Sequence, residues 1–200
     1  MVVKSYSPIW KLILMKGSIP TCLKRMTVAH FGKESWEETL ENIGISTYTV
    51  FPVIDNIDDL TVIKIIEELC HVLAISPTQL ADRFGDYWVN TYSQEAYSRY
   101  YSKYQCAMDF LLGMDELHQQ ITYQIKNAQP PRFSYQVEAD NIMIMEYKSH
   151  RNLIDLMIGL IKGVGKYYHE ELQVTQLAEN KVRIIFPYSD LVKPMVIGRG

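Results

Sequence analysis

Apolar positions along this chain recur with a helical period over its first two thirds and with a period of two in much of the remainder. Two short helices are predicted over 18–30 and 34–43, the second closed by Gly44. Asp58 or Asp59 can cap a helix over 60–74. Ser76 and Pro77 place an N-cap and a first-turn proline before another helix that ends near Gly85. Ser93 opens a further short segment. A long helix over 105–126 stops ahead of Pro130 and Pro131, because proline disfavours helix in the residue before it. Residues 132–138 and 141–149 then alternate as paired strands around Ala139 and Asp140, helix returns over 151–169, and strands over 171–177 and 181–187 flank Glu179 and Asn180. The fold class is α+β: an N-terminal helical lobe, then a mixed lobe with a four-stranded antiparallel sheet.

Two places in this pattern carry chemistry. In AMDFLLGMDELHQQITYQI, Leu111, Met114, His118, Ile121 and Ile125 fall on one helical stripe, so an imidazole is aimed where core normally lies. A histidine there serves either as a core residue satisfied by a backbone carbonyl or as a metal ligand. In IMIMEYKSHR, strand alternation would put Tyr147, Ser149 and Arg151 on one face. Two hydroxyls and a guanidinium in a row suit a pair of carboxylates, and they also suit an ordinary solvated strand face. Gly159 and Gly163, four apart in the last helix, cost roughly 1 kcal/mol each against alanine. Close approach of another backbone or of a flat ligand would explain them, and tight helix packing explains them at least as well.

Composition narrows the classes. Two hundred residues, 48% hydrophobic and 22% charged with a net charge of −3, describe one globular domain with no electrostatic pull toward nucleic acid. Cys22, Cys70 and Cys106 are scattered and odd in number, so neither a disulfide framework nor a zinc site follows. Cys70 and Cys106 read as small packed hydrophobes. No CxxCH motif is present for covalent haem attachment. No apolar run approaches a membrane span, and the first residues show no signal-peptide cleavage pattern.

Taken together, the motifs resemble the haem nitric oxide/oxygen binding (H-NOX) family, which includes the sensor domain of soluble guanylate cyclase. The match follows the family's order from MKGSI at Met15 through WEETL, FGDYW, MDELH, PPRF, YxSxR and GLIKGVGK to about Phe186. It implies a domain over 15–187, with 1–14 as an N-terminal extension and 188–200 as a tail or linker. The resemblance makes His118 the proximal ligand of a non-covalent b-type haem and Tyr147, Ser149 and Arg151 the grip on its propionates. Pro131 and Ile19 match residues that hold the porphyrin out of plane, and Asp59 aligns with an acidic partner of Arg151. On the distal side, oxygen-binding members carry a tyrosine five residues after the motif arginine; here that residue is Leu156. Leu160, Trp88 and Tyr92 join it, and Tyr87, Trp88 or Tyr92 could supply a donor.

The function so implied is a cytoplasmic sensor, not an enzyme, that binds NO (and CO) at ferrous haem and discriminates against oxygen. It would signal by weakening of the iron–His118 bond and a shift of haem and helix. Its listener would be a fused or separate effector such as a chemotaxis receptor, histidine kinase or cyclase. Two alternatives stay open: an oxygen-binding sensor with another distal donor, and a haem-free binding or interaction module in which His118 is only core.

Overall fold

Each helix of the N-terminal half hides one apolar stripe against its neighbours. In the computed structural model, which describes residues 14–123, 130–149, 151 and 153–187, α1 (Ser18–Phe31), α2 (Lys33–Asn42), α3 (Asp59–Val72) and α4 (Pro77–Tyr87) form this lobe. Leu23, Met26, Trp36, Leu40, Ile65, Leu69 and Phe84 fill its centre. Local capping chemistry starts two of these helices where the sequence places them. The Asp58 carboxylate accepts the Thr61 N–H ahead of α3, and Ser76 and Gln79 form a reciprocal capping box ahead of α4. Gly32 and Gly44 turn the chain at positive φ. Beside the helices, β1 (Leu14–Lys16) pairs antiparallel with β2 (Asn56–Asp58), a clasp of three-residue strands too short to show a period in the sequence. The remainder of the expected N-terminal extension, 1–13, and the expected tail, 188–200, lie outside the described residues.

The second lobe is a sheet of order β3-β4-β6-β5, antiparallel throughout, from β3 (Arg132–Ala139), β4 (Ile142–Lys148), β5 (Gln173–Ala178) and β6 (Lys181–Ile185). Alternate residues Met143, Met145 and Tyr147 of β4 and Val182 and Ile184 of β6 turn inward. They meet α5 (Gln94–Tyr101), α6 (Ala107–Leu112), α7 (Met114–Thr122) and α8 (Ile154–Tyr167). Helix α8 serves both lobes: Leu156 packs into the helical core, while Met157 and Ile161 belong to the sheet core.

Three expectations change. Gly85 does not end α4; the helix runs on to Tyr87 and into a π-helical turn, Trp88–Tyr92, closed by Ser93 N–H donating to the Trp88 carbonyl at 2.8 Å. Gly85 is instead where α8 crosses, since a Cβ there would lie 2.1 Å from the Gly159 backbone, and one on Gly159 would lie 2.0 Å from the Ala81 carbonyl oxygen. The paired glycines thus admit another backbone, not a flat ligand. The helix expected over 105–126 is broken at Gly113, against which the Tyr104 ring presses so closely that a Cβ would meet its hydroxyl at 2.3 Å. Residues 124–129, its expected end, lie outside the described residues. Finally, β4 stops at Lys148, and Ser149 and Arg151 follow it as a turn. Lys148 pairs with Arg132, so the next rung would need an N–H from Pro131, which has none.

A cavity between the lobes

The His-bearing stripe survives the break at Gly113. Leu111, Met114, His118 and Ile121 all face one cavity of about 570 Å³ between the lobes, within the roughly 300–1,000 Å³ typical of cofactor sites. Ile19 of α1, Trp88 and Tyr92 of the π-turn, Pro131, Tyr147, Arg151, and Leu156 and Leu160 of α8 line the same space. Nine of the twelve residues singled out from sequence therefore line one cavity, and Asp59 is tied to it through Arg151. Ser149 is not on the cavity wall; its hydroxyl accepts the Arg151 N–H at 3.3 Å. Tyr87 does not line the cavity and packs edge-on against His30 instead.

On the proximal side, His118 Nδ1 lies 3.5 Å from the Pro131 carbonyl oxygen, the long limit of a hydrogen bond. Burial pushes the imidazole pKa below its ordinary value, against the opposing pulls of the Pro131 carbonyl and the Asp115 carboxylate. The ring is therefore neutral at pH 7, and Nε2 has no hydrogen-bond partner among the described residues. A neutral imidazole with one nitrogen turned to a backbone carbonyl is the form that ligates metals. The Phe133 ring stands 5.5 Å away and in turn meets Tyr147.

Arg151 ties the lobes together. Its Nε donates to Asp59 Oδ2 at 2.8 Å, both side chains being 10% exposed or less. A buried guanidinium demands such a partner, and its fork of five N–H groups can serve a carboxylate in the cavity as well. Tyr147, 6% exposed, brings a hydroxyl to the same wall.

Aromatic and aliphatic groups make the distal side. Phe84, Trp88 and Tyr92 form a column with centroids 5.6 and 5.2 Å apart. The Arg25 guanidinium covers Tyr92 at 5.2 Å and is held by Glu95 across the cavity rim. The π-turn brings Tyr92 over Trp88, and Gln94 Nε2 donates to the Val89 carbonyl at 2.6 Å within it. Neither the Trp88 indole N–H nor the Tyr92 hydroxyl has a hydrogen-bond partner among the described residues.

Sequence reasoning did not find Asp115, Tyr135, Arg25 or Glu95. Asp115 had a signal: it stands one turn before His118. The thiol of Cys106 also departs from its expected part, accepting the Asp109 N–H at the start of α6 rather than packing as a hydrophobe.

These residues fit a haem. A neutral imidazole, paired donors for carboxylates and apolar walls share one cavity of suitable size.

Known proteins share this fold. The model of a family described as Haem-NO-binding matches residues 16–176. An H-NOX mutant designated Cs, carrying 4-cyano-L-phenylalanine, has 28% identity and a TM-score of 0.76, covering 87% of this chain and 97% of its own. An oxygen-binding H-NOX domain related to soluble guanylate cyclases, in its oxygen complex, has 29% identity and a TM-score of 0.74, covering 87% and 96%. A point mutant of the T. Tengcongensis H-NOX has 29% identity and a TM-score of 0.74, covering 87% and 98%. No curated protein is similar enough in sequence to match.

Proposed function

The chain belongs to the haem-NO-binding, or H-NOX, family, and from that premise we propose that it is a nitric oxide sensor that discriminates against oxygen. The cofactor of this reading is a non-covalent b-type haem. His118 would supply the nitrogen that holds it, Tyr147 and Arg151 would meet its carboxylates, and Pro131 and Ile19 would pack against it. Ser149 acts at one remove, through its bond to the Arg151 backbone. When bound, the haem supplies an iron position open to a diatomic gas.

Everything else falls to the protein. Burial keeps His118 neutral, so its lone pair is available. Leu111, Met114, Leu117 and Ile121 keep water from the proximal side. The observation that carries the selectivity is Leu156: α8 presents an isobutyl group to the cavity, 9% exposed and packed into the helical core. Bound oxygen acquires negative charge and gains from a preorganised donor, which Leu156 cannot provide; NO does not depend on one.

Signalling is a binding switch without catalysis. A change in the load on His118 moves α7, while Ile19 carries the opposite side of the cavity into α1. The lobes then shift against each other, and an effector with different affinities for the two arrangements reads the difference. A chemotaxis receptor, histidine kinase or cyclase in the cytoplasm fits that role. No helix among the described residues is long and apolar enough to cross a membrane.

A second reading has its own observation. Trp88 and Tyr92 bring unengaged donors to the distal wall, and either could serve bound oxygen. Absorption spectra of the reduced protein, without oxygen, in air and with NO, separate the two. A spectrum unchanged in air and altered by NO supports selective NO sensing; a stable oxygen complex overturns it.

A further inference from the structure

Helix α7 meets β3 through a cluster of polar contacts centred on Asp115, on the turn before His118. Arg132 Nε donates to Asp115 Oδ1 at 2.7 Å and Arg132 Nη2 to Oδ2 at 2.6 Å, a bidentate fork. The Phe133 backbone N–H donates to Oδ1 at 2.9 Å, and Gln119 Nε2 to Oδ2 at 3.1 Å. One carboxylate thus accepts four hydrogen bonds. The Asp115 backbone N–H, one of the first-turn donors that a helix leaves unpaired, donates in turn to the Tyr135 hydroxyl of β3 at 3.2 Å. Three of the first four β3 residues, Arg132, Phe133 and Tyr135, therefore hold one turn of α7.

We propose that Asp115 is a positioning residue for His118, clamping α7 to β3 so that the imidazole meets the haem iron at a fixed height and tilt. The proposal rests on the reading of His118 as the axial ligand. The clamp closes a short loop of structure: Asp115 and His118 share a face of α7, Arg132 follows Pro131 directly, and the Pro131 carbonyl faces His118 Nδ1. Fixing Asp115 on Arg132 and Phe133 thereby fixes the ring against its own backbone partner. Arg132, Phe133 and the other donors pull the Asp115 carboxyl down to about 2, so the clamp is charged throughout the neutral range. Arg132 is 53% exposed and Asp115 19%. An exposed ion pair alone is weak. The Phe133 N–H and the fork's fixed geometry are what make this one directional.

The test is the iron–histidine stretching band of the ferrous protein by resonance Raman, with the rate of haem loss to an apoglobin acceptor. Asp115→Asn keeps the side chain's size but removes the charge and turns one acceptor oxygen into an NH2 donor, so two of the four bonds are lost; Arg132→Gln removes only the fork and leaves Phe133 in place. Circular dichroism confirms that each variant is folded. The expected result is a shifted and broadened band with haem loss roughly tenfold faster in Asp115→Asn, a smaller change in Arg132→Gln, and a double variant no worse than Asp115→Asn. Asp115→Glu, which restores the charge, should recover part of the parental band. Variants with the parental band and rate overturn the positioning role. A parent lacking any iron–histidine band overturns the His118 assignment itself, and this proposal with it.

Discussion

The two sides of the cavity are built from different materials. The proximal side hangs from polar ties of known direction: His118 to the Pro131 carbonyl, Asp115 to Arg132 and Phe133, Arg151 to Asp59. The distal side is a close fit of shapes, with α8 laid on α4 at Gly85, Gly159 and Gly163 and an aromatic column running from Phe84 to Tyr92. Directional bonds hold a ligand at one angle and can be released singly. Packed surfaces are bistable at best and resist gradual change. On the proposed function, the first property serves the grip on the cofactor and the second the exclusion of a gas.

The largest effect expected from breaking this contrast is on the proximal side. His118→Ala should give a folded protein that purifies without haem, and free imidazole should restore haem binding by filling the vacated position. Haem content measured by the pyridine haemochrome assay decides it. Full loading with an unchanged ferrous spectrum would remove His118 from the site.

On the distal side the equivalent blow falls on stability. Gly159→Ala puts a methyl 2.0 Å from the Ala81 carbonyl oxygen, a backbone atom that cannot swing aside. Overpacking of this kind costs about 3 kcal/mol, visible as a lower urea midpoint. The ion pairs of Lys162 with Asp82 and of Lys166 with Asp86 run along the same crossing. An unchanged midpoint would mean that α4 and α8 separate easily, and the distal wall would lose its claim to rigidity.

These contrasts explain what the sequence could disclose. The His118 stripe and the Ser76 capping box are local, set by neighbours within one or two turns, and both appear where the pattern puts them. The four-stranded sheet was legible for the same reason, since Met143, Met145 and Tyr147 alternate with outward residues. Gly85 was misleading because a glycine that stops a helix and one that admits a crossing helix look alike; only Gly159, far along the chain, distinguishes them. The end of β4 before Ser149 depends on Pro131, just ahead of the facing strand. The π-turn shifts Tyr92 by a register that no helical period encodes. Asp115 went unnoticed because an acidic residue in the first turn of a helix has an ordinary local explanation, favourable interaction with the helix dipole. Its partners on β3 are what give it another.

Leu156→Tyr sharpens the comparison by placing a directional donor on the packed side. Leu156 faces the cavity, so a phenol can extend into open space rather than into the core. A hydrogen bond to a charged acceptor contributes roughly 1.5–3 kcal/mol, which corresponds to oxygen affinity raised about 10- to 100-fold. Oxygen titration of the reduced variant measures it. No gain would show that Leu156 does not face the bound gas.

The smallest effect, and the finest discrimination, comes from Tyr92→Phe. The ring would keep its stacking on Trp88 and the Arg25 cation above it, both at 5.2 Å, so only the hydroxyl is lost. That hydroxyl has no hydrogen-bond partner among the described residues, and removing it should change stability by less than roughly 0.5 kcal/mol. If selectivity rests on Leu156, NO and oxygen binding in the variant will match the parent. If the parent holds oxygen and the variant does not, Tyr92 is the donor, and the packed side carries a directional bond of its own. Trp88→Phe repeats the test on the indole N–H. The two substitutions together decide whether the distal wall selects by shape alone.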